Sequence, residues 1–502
     1  MLLQKCINIS GKEEIVIYSL KKTEIACQTI KNIIVKIILL CTIILSILIL
    51  YQNIEVVLSA EIFRVLIYFG AIIASIGFMF YYLKFALPEK IYIVLIIIIS
   101  LASRLCFTLF VQTPIYSDFL KMYNAAKDVV AGDKSWLGQT YFSTWGYQIP
   151  FVYYEAFILK LFGSSLALKL FNVAYMVVIN ILIYLIAKEC TTSYAAFIVA
   201  VLYSIYPAPI LLSSVLTNQH ISLMFFMLSI YFFLIAPSWS RILLSGIFLF
   251  LGNLLRPEAV LIITTMLVFT VTSLTDKIKW EYIKNNLLKI LSLFVAFIFL
   301  TNLSSTLFKI TGVAPNGISN SCPEWKFVIG LDTVTNGTYS ERNAYIVSIK
   351  DSDLRLQEAK KIISTSLQEC KSIPLFFWEK LKIMWANMEN TSWSLLHIQK
   401  DKPILNEITY EEVINNIVYF DKAIYILLHI LIITTCIIIW IAPITQNHIP
   451  FFFIVLIFVN YIAYLFIEVQ TRYRYFIMPS FFISTSVVFD LISKWLKNRQ
   501  TG

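Results

Sequence analysis

Charged side chains are scarce in this chain, and those bordering its apolar runs recur at a few places. Arg104 sits near the end of one run, and Asp118 follows in PIYSDFLKMY (114–123). Glu155 lies in QIPFVYYEAF (148–157) and His220 in LTNQHIS (216–222). Arg256 and Glu258 form LLRPEAV (254–260), and Glu468, Arg472 and Arg474 lie in FIEVQTRYRYF (466–476). Guanidinium groups bind phosphate oxygens in a planar fork, and a carboxylate within reach of a hydroxyl can take its proton. Arginines, a few acids and aromatics are what an anionic phosphate headgroup requires.

Each residue also has a plainer reading. Arg472 and Arg474 could be snorkelling anchors, with Tyr473 and Tyr475 as an interfacial aromatic belt. Arg256 could anchor a turn beside Pro257. Asp118 could cap a helix over 118–131. Glu155 could lie on the solvated face of an interfacial helix. His220 reads first as a capping or hydrogen-bonding group. It has no second histidine at metal-ligand spacing, so no metal ligand is assigned, although a divalent cation is compatible with the chemistry.

The composition says where such a site must be built. Of 502 residues, 59% are hydrophobic and 14% are charged, which excludes a soluble enzyme and a disordered chain. The class is an all-α polytopic membrane protein. The hydropathy predicts about twelve spans at 33–51, 62–83, 91–111, 166–187, 194–213, 219–236, 242–256, 258–275, 288–306, 423–442, 450–467 and 475–493. The pair 242–256 and 258–275 is tight enough that one could be a re-entrant hairpin.

The net charge of +10 needs no nucleic acid, because Lys and Arg collect in predicted inner loops. Lys84, Lys90, Lys188, Arg241, Lys277, Lys279 and Lys284 fall there, while 52–61 and 214–218 carry neither Lys nor Arg. The expected organisation is a cytoplasmic tail (1–32), three spans (33–111), an extracytoplasmic segment (112–165), six spans (166–306), a second extracytoplasmic segment (307–422), three spans (423–493) and a cytoplasmic tail (494–502). Both termini are then cytoplasmic in a multi-pass plasma-membrane protein.

Within 307–422, residues 307–345 read as loop with turns and 353–370 as helix. Residues 374–388 place Leu375, Trp378, Leu381, Trp385 and Met388 on one helical face, with Lys380 and Lys382 opposite. That pattern suits a helix lying on the membrane surface, or equally a core helix of this segment. Cys322 and Cys370 share the segment, as a disulfide or as two free thiols.

With these motifs in hand, the chain resembles the GT-C superfamily of polyprenyl-phosphate-sugar-dependent membrane glycosyltransferases. The pattern is similar to the glycosyltransferase family 39-like bacterial enzymes, relatives of protein O-mannosyltransferases and lipid A aminoarabinose transferases. The resemblance rests on Arg104 followed by PIYSDFLKMYNAAKDVVAGD (114–133), PFVYYEAFILKLFGSSLALKLFN (150–172), YPAPILLSSVLTNQHISLMFFML (206–228) with LRPEAVLI (255–262), and EVQTRYRYFIMP (468–479). It implies a GT-C-like helical bundle with two extracytoplasmic segments. It implies that Asp118 is the catalytic base and that Arg256, Arg472, Arg474 and Arg104 bind the donor phosphate. Glu155, His220 and Glu468 become candidate substrate-binding residues.

Many relatives carry two acids in a row where this chain has Asp118 and Phe119, so a paired-acid mechanism is not expected. The family's first loop also usually follows the first span, whereas here it follows the third. The implied partners are a polyprenyl-phosphate-linked sugar donor, a glycan, lipid or protein acceptor, and the bilayer; nucleic acid is not among them. The implied chemistry is inversion by direct displacement. Two alternatives stay open: a polysaccharide polymerase or ligase, and a twelve-helix transporter.

Overall fold

The structure is a computed structural model that describes residues 2–59, 61–82, 87–111, 113–235, 238–274, 280–387, 403–405, 408–441 and 449–501. Lys84, Lys277, Lys279 and Met388, which entered the sequence reading, lie outside the described residues.

Apart from a two-stranded ladder pairing Pro403–Leu405 with Ile408–Thr409, the regular structure described is helical. Eight helices are long and apolar enough to cross a membrane: Gln28–Leu58, Ile62–Tyr81, Glu89–Phe110, Ser165–Lys188, Lys284–Ile310, Tyr410–Ile441, Ile449–Phe466 and Thr471–Arg499. Four shorter apolar helices, Ser193–Ile205, Gln219–Leu234, Trp239–Leu255 and Ala259–Ser273, stand where four further spans were expected. At about 1.5 Å per residue each is shorter than a hydrocarbon core about 30 Å thick. The all-α polytopic class is as expected, and the chain is a multi-pass membrane protein.

Several boundaries move. The first helix runs unbroken over Leu2–Leu58, so residues 2–32 of the expected tail are helical and continuous with the first span. The helix expected to begin at residue 423 already begins at Tyr410, and the last helix continues to Thr501. Hydropathy marks where a helix enters lipid, not where its backbone hydrogen bonds start.

Inside the bundle, small residues let helices approach closely. Ser229 and Ser245 each donate a side-chain hydrogen bond to the other's carbonyl at 2.9 Å, joining Gln219–Leu234 to Trp239–Leu255. A Cβ on Gly252 would lie 2.6 Å from the Phe226 ring, and one on Gly246 would lie 2.8 Å from the Leu293 carbonyl oxygen. These contacts hold the Trp239–Leu255 helix, whose far end delivers Arg256.

In the segment between Phe110 and Ser165 the two longer helices, Ser117–Ala131 and Ile149–Phe162, pack on each other. The first begins at Ser117, whose φ of +57° is unusual for a residue with a Cβ. Its N-cap is Tyr116, which makes no side-chain capping bond, so Asp118 in the first turn is not the cap.

In the second segment, the helix expected over 353–370 is Ser352–Gln368, capped by Asp351, which accepts from the Asp353 and Leu354 amides at 2.9 Å. The helix expected over 374–388 is Ile373–Leu381, continued by a π-turn over Lys382–Ala386. Its faces are not as expected. Leu375 is exposed, whereas Phe376, Lys380, Leu381 and Trp385 are buried. Lys380 turns inward because the Gly330 carbonyl accepts its ammonium hydrogen. Cys322 and Cys370 are both free thiols.

Candidate functional site

The strip after the Ile449–Phe466 helix organises the site. Its Glu468 and Val469 amides donate to the Lys326 and Gly337 carbonyls at 3.0 and 2.9 Å. The second segment is thereby stitched to the strip. A short 3₁₀ turn, Thr471–Tyr473, then leads into the last helix. Gln219, at the start of its helix, donates to the Arg472 carbonyl at 3.3 Å.

Three cations from three distant parts of the chain meet around Tyr473. The guanidinium carbons of Arg256 and Arg472 each lie 5.6 Å from its ring centroid, and the Lys326 ammonium lies 5.4 Å away. Lys326 also donates to the Tyr473 hydroxyl at 3.3 Å. Cations at this range are drawn to the electron-rich face of an aromatic ring.

Each cation is held by a polar partner. Arg256 pairs with Glu258 at 2.5 Å and donates to the Asn218 side-chain oxygen at 3.2 Å. The turn geometry explains the pair: Pro257 has no amide to offer, and the Glu258 amide donates to the Arg256 carbonyl at 2.8 Å. Lys326 pairs with Glu468, whose other oxygen accepts from Gln470 at 2.5 Å. Arg472 donates from Nε to the Gln470 side-chain oxygen at 2.7 Å. Burial opposes the charge on Lys326, but Tyr473 and Glu468 outweigh it and hold the ammonium protonated. Burial likewise opposes the Arg256 charge, and Glu258 and Tyr473 reverse the effect.

The carboxylate side is joined to this cluster through aromatics. The Arg472 guanidinium carbon lies 5.5 Å from the ring of Phe119, the residue after Asp118. Asp118 itself is half-exposed and 3.8 Å from Lys121, whose ammonium lies 4.8 Å from the Tyr141 ring centroid. Burial raises the Tyr141 phenol above its ordinary range, and the Asp118 charge raises it further while Arg472 opposes. The Tyr147 phenol, raised chiefly by burial, is under the charges of Lys326, Arg256 and Asp118. The Asp118 charge is thus felt at Tyr141 together with that of Arg472, and at Tyr147 together with those of Lys326 and Arg256.

Of the residues singled out in the sequence, the structure brings together Arg256, Glu258, Arg472 and Glu468, and joins Asp118 to them through its neighbour Phe119. The others stand elsewhere. Arg104 is buried in the bundle and donates to Ser100, Ser103, and the Tyr203 and Ser204 carbonyls at the end of the Ser193–Ile205 helix. Carbonyls at a helix C-terminus carry partial negative charge, which suits a guanidinium. Arg474 turns away from the cluster, donating to the Met384 and Asn387 carbonyls with its guanidinium carbon 5.1 Å from the Tyr425 ring.

His220 is fully buried between the Leu212 carbonyl and the Tyr475 hydroxyl, each at 2.9 Å. A carbonyl only accepts, so Nε2 carries the proton and Nδ1 accepts from Tyr475. Glu155 is not on a solvated face. It is fully buried, and neither carboxylate oxygen has a hydrogen-bond partner among the described residues. Burial pushes its carboxyl well above the usual range.

Sequence reasoning missed Lys326, Tyr147 and Tyr141. Lys326 is one lysine among several in a long segment, and its partner Glu468 is 142 residues away. No local spacing could have paired them. Among the described residues, no group of three His, Cys, Asp or Glu side chains gathers as a metal site would require.

Residues 150–304 match the family model described as dolichyl-phosphate-mannose-protein mannosyltransferase. That family is one of GT-C membrane glycosyltransferases, so the resemblance drawn from the motifs is supported over this stretch. The match includes Asn218, Arg256 and Glu258; Asp118, Lys326 and Arg472 lie outside it. Among solved structures, the chain is similar to the archaeal oligosaccharyltransferase AglB from Archaeoglobus fulgidus in complex with an inhibitory peptide and a dolichol-phosphate. Identity is 14% and the TM-score 0.45, covering 82% of this chain and 52% of that one. It is also similar to the Archaeoglobus fulgidus oligosaccharyltransferase in the apo form, at 15% identity and a TM-score of 0.48, over 83% of this chain and 52% of that one. The chain therefore spans about half the length of these proteins, at 52% in each case. No curated protein matches it.

Proposed function

We propose that the protein is a membrane glycosyltransferase that moves a monosaccharide from a polyprenyl-phosphate donor to an acceptor hydroxyl on a cell-envelope glycan, lipid or protein. The observation that carries this reading is the convergence of Arg256, Lys326 and Arg472 on the Tyr473 ring, with Arg472 also meeting the ring of Phe119, the residue after Asp118. The family match over residues 150–304 supports the class of donor.

The chemistry follows from the groups present. The acceptor hydroxyl gives its proton to the Asp118 carboxylate as its oxygen bonds to the anomeric carbon. The bond from that carbon to the phosphate oxygen breaks, and its electron pair leaves on the lipid phosphate. Arg256, Lys326 and Arg472 receive that developing charge, and Glu258, Glu468 and Gln470 keep them aimed. A phosphate is already a good leaving group, so no strong general acid is needed. A single displacement inverts the anomeric centre, and Asp118 is the one base it uses. The site faces the outer leaflet, and both termini lie in the cytoplasm.

The test is to incubate the purified protein in nanodiscs with a radiolabelled polyprenyl-phosphate sugar and membrane acceptors. Label is expected to move to the acceptor fraction. Counter-flow of a soluble solute in proteoliposomes, with no sugar transferred, would replace this reading with a transporter.

A further inference from the structure

Lys326 rides on a single short helix, Trp325–Gly330, so whatever fixes that helix fixes the ammonium. Two glycines let the helix end dock. A Cβ on Gly330 would collide with the backbone of Phe466 and Ile467. Gly337 has a φ of +77°, and a Cβ there would lie 2.8 Å from Lys380 Cε and 2.9 Å from the Gly330 carbonyl oxygen. Only glycine fits either place.

Lys380 closes this arrangement. It comes from the Ile373–Leu381 helix, is fully buried, and donates to the carbonyl of Gly330, the last residue of the Lys326 helix. Its ammonium also lies 5.8 Å from the Phe376 ring. Burial lowers its proton affinity to about 7, with the Glu468 charge acting in the opposite direction. A buried lysine is costly to keep, and here its bond is spent on a helix end.

We propose that Lys380 is a positioning residue of the donor site: by holding the Gly330 carbonyl against the Phe466–Gln470 strip, it sets where the Lys326 ammonium stands over Tyr473. The inference rests on the donor reading above and deepens it. Lys380 touches no reacting group, and its effect passes through Lys326.

Farnesyl phosphate, a short soluble polyprenyl monophosphate, is the probe, with full-length protein in nanodiscs. Lys380→Met keeps the side-chain volume and removes the donor, and should weaken binding about tenfold, the size of one hydrogen bond to a charged group. Lys380→Arg should recover most of the loss. Lys326→Gln should cost about the same as Lys380→Met, and the double variant should bind no more weakly than Lys326→Gln alone, because both changes remove one interaction. Amide exchange across 327–331 should quicken in Lys380→Met while exchange in the Ile449–Phe466 helix stays unchanged. Wild-type affinity in Lys380→Met, or deficits that multiply in the double variant, would overturn the inference and leave the donor reading standing. A wild-type protein that fails to bind farnesyl phosphate would overturn both.

Discussion

The guanidinium carbon of Arg472 lies 5.5 Å from the ring of Phe119, next in sequence to Asp118. This contact joins the helix that carries Asp118, the proposed base, to the strip that carries Arg472. Phe119 occupies the position where a second acid would follow Asp118, and it offers the arginine an aromatic ring instead.

Arg472 and Arg474 are two residues apart and point to different partners, so their loss should separate binding from folding. Arg472→Ala is expected to weaken donor binding about tenfold or more while thermal stability changes little. Arg474→Ala leaves the Met384 and Asn387 carbonyls without their donor and should lower the melting temperature sharply. Farnesyl phosphate titration and thermal melts of both variants check this. Equal binding defects with equal stability would remove the distinction.

Glu468 is expected to act through Lys326. Glu468→Gln removes the charge partner and should lower kcat/KM for the donor severalfold, since the cation that binds the phosphate and receives its developing charge loses its orientation. Steady-state kinetics over a range of donor concentrations decide it, and an unchanged kcat/KM would contradict this role.

Gly330 packs directly against the backbone of Phe466 and Ile467, where the strip begins. Gly330→Ala should destabilise the docked segment by about 1–3 kcal/mol, the usual cost of overpacking, and should impair donor binding with it. Limited proteolysis between residues 307 and 387 reports the loosening; unchanged resistance would show that the approach is less tight than described.

Glu155 should make stability fall as pH rises. Its buried carboxyl holds its proton above the ordinary glutamate range, so the folded state retains a proton that the unfolded chain releases. The contribution is fully present below about pH 4, near the unfolded value, and is lost as pH climbs towards the folded one. Melting temperatures at pH 5 and pH 8 should differ more in wild type than in Glu155→Gln. Equal slopes would mean that Glu155 finds a partner when folded.

Much of the scaffold was legible because lipid leaves the backbone few options, and a run of apolar residues there is a helix. The helices Ser117–Ala131 and Ser352–Gln368 were legible to within a residue or two of their ends, although the N-cap of the first is Tyr116 and not Asp118. The face of Ile373–Leu381 was misread because apolar spacing cannot foresee a carbonyl, that of Gly330, waiting for a lysine. Within the site, Asp118, Arg256 and Arg472 stood out by type and by place beside apolar runs. Lys326 did not, since its meaning comes from Glu468 and Tyr473, far along the chain. Arg104 and Arg474 stood out equally, and only the fold reveals the carbonyls that occupy them.

The central claim is that Asp118 takes the acceptor proton while the cations around Tyr473 hold the departing phosphate. Parallel measurement of sugar transfer and farnesyl phosphate binding in wild type and Asp118→Asn tests it directly. Transfer should fall by about 10²-fold or more in the variant, the usual contribution of a general base, with phosphate binding and membrane insertion retained. Transfer at the wild-type rate by Asp118→Asn would contradict the account.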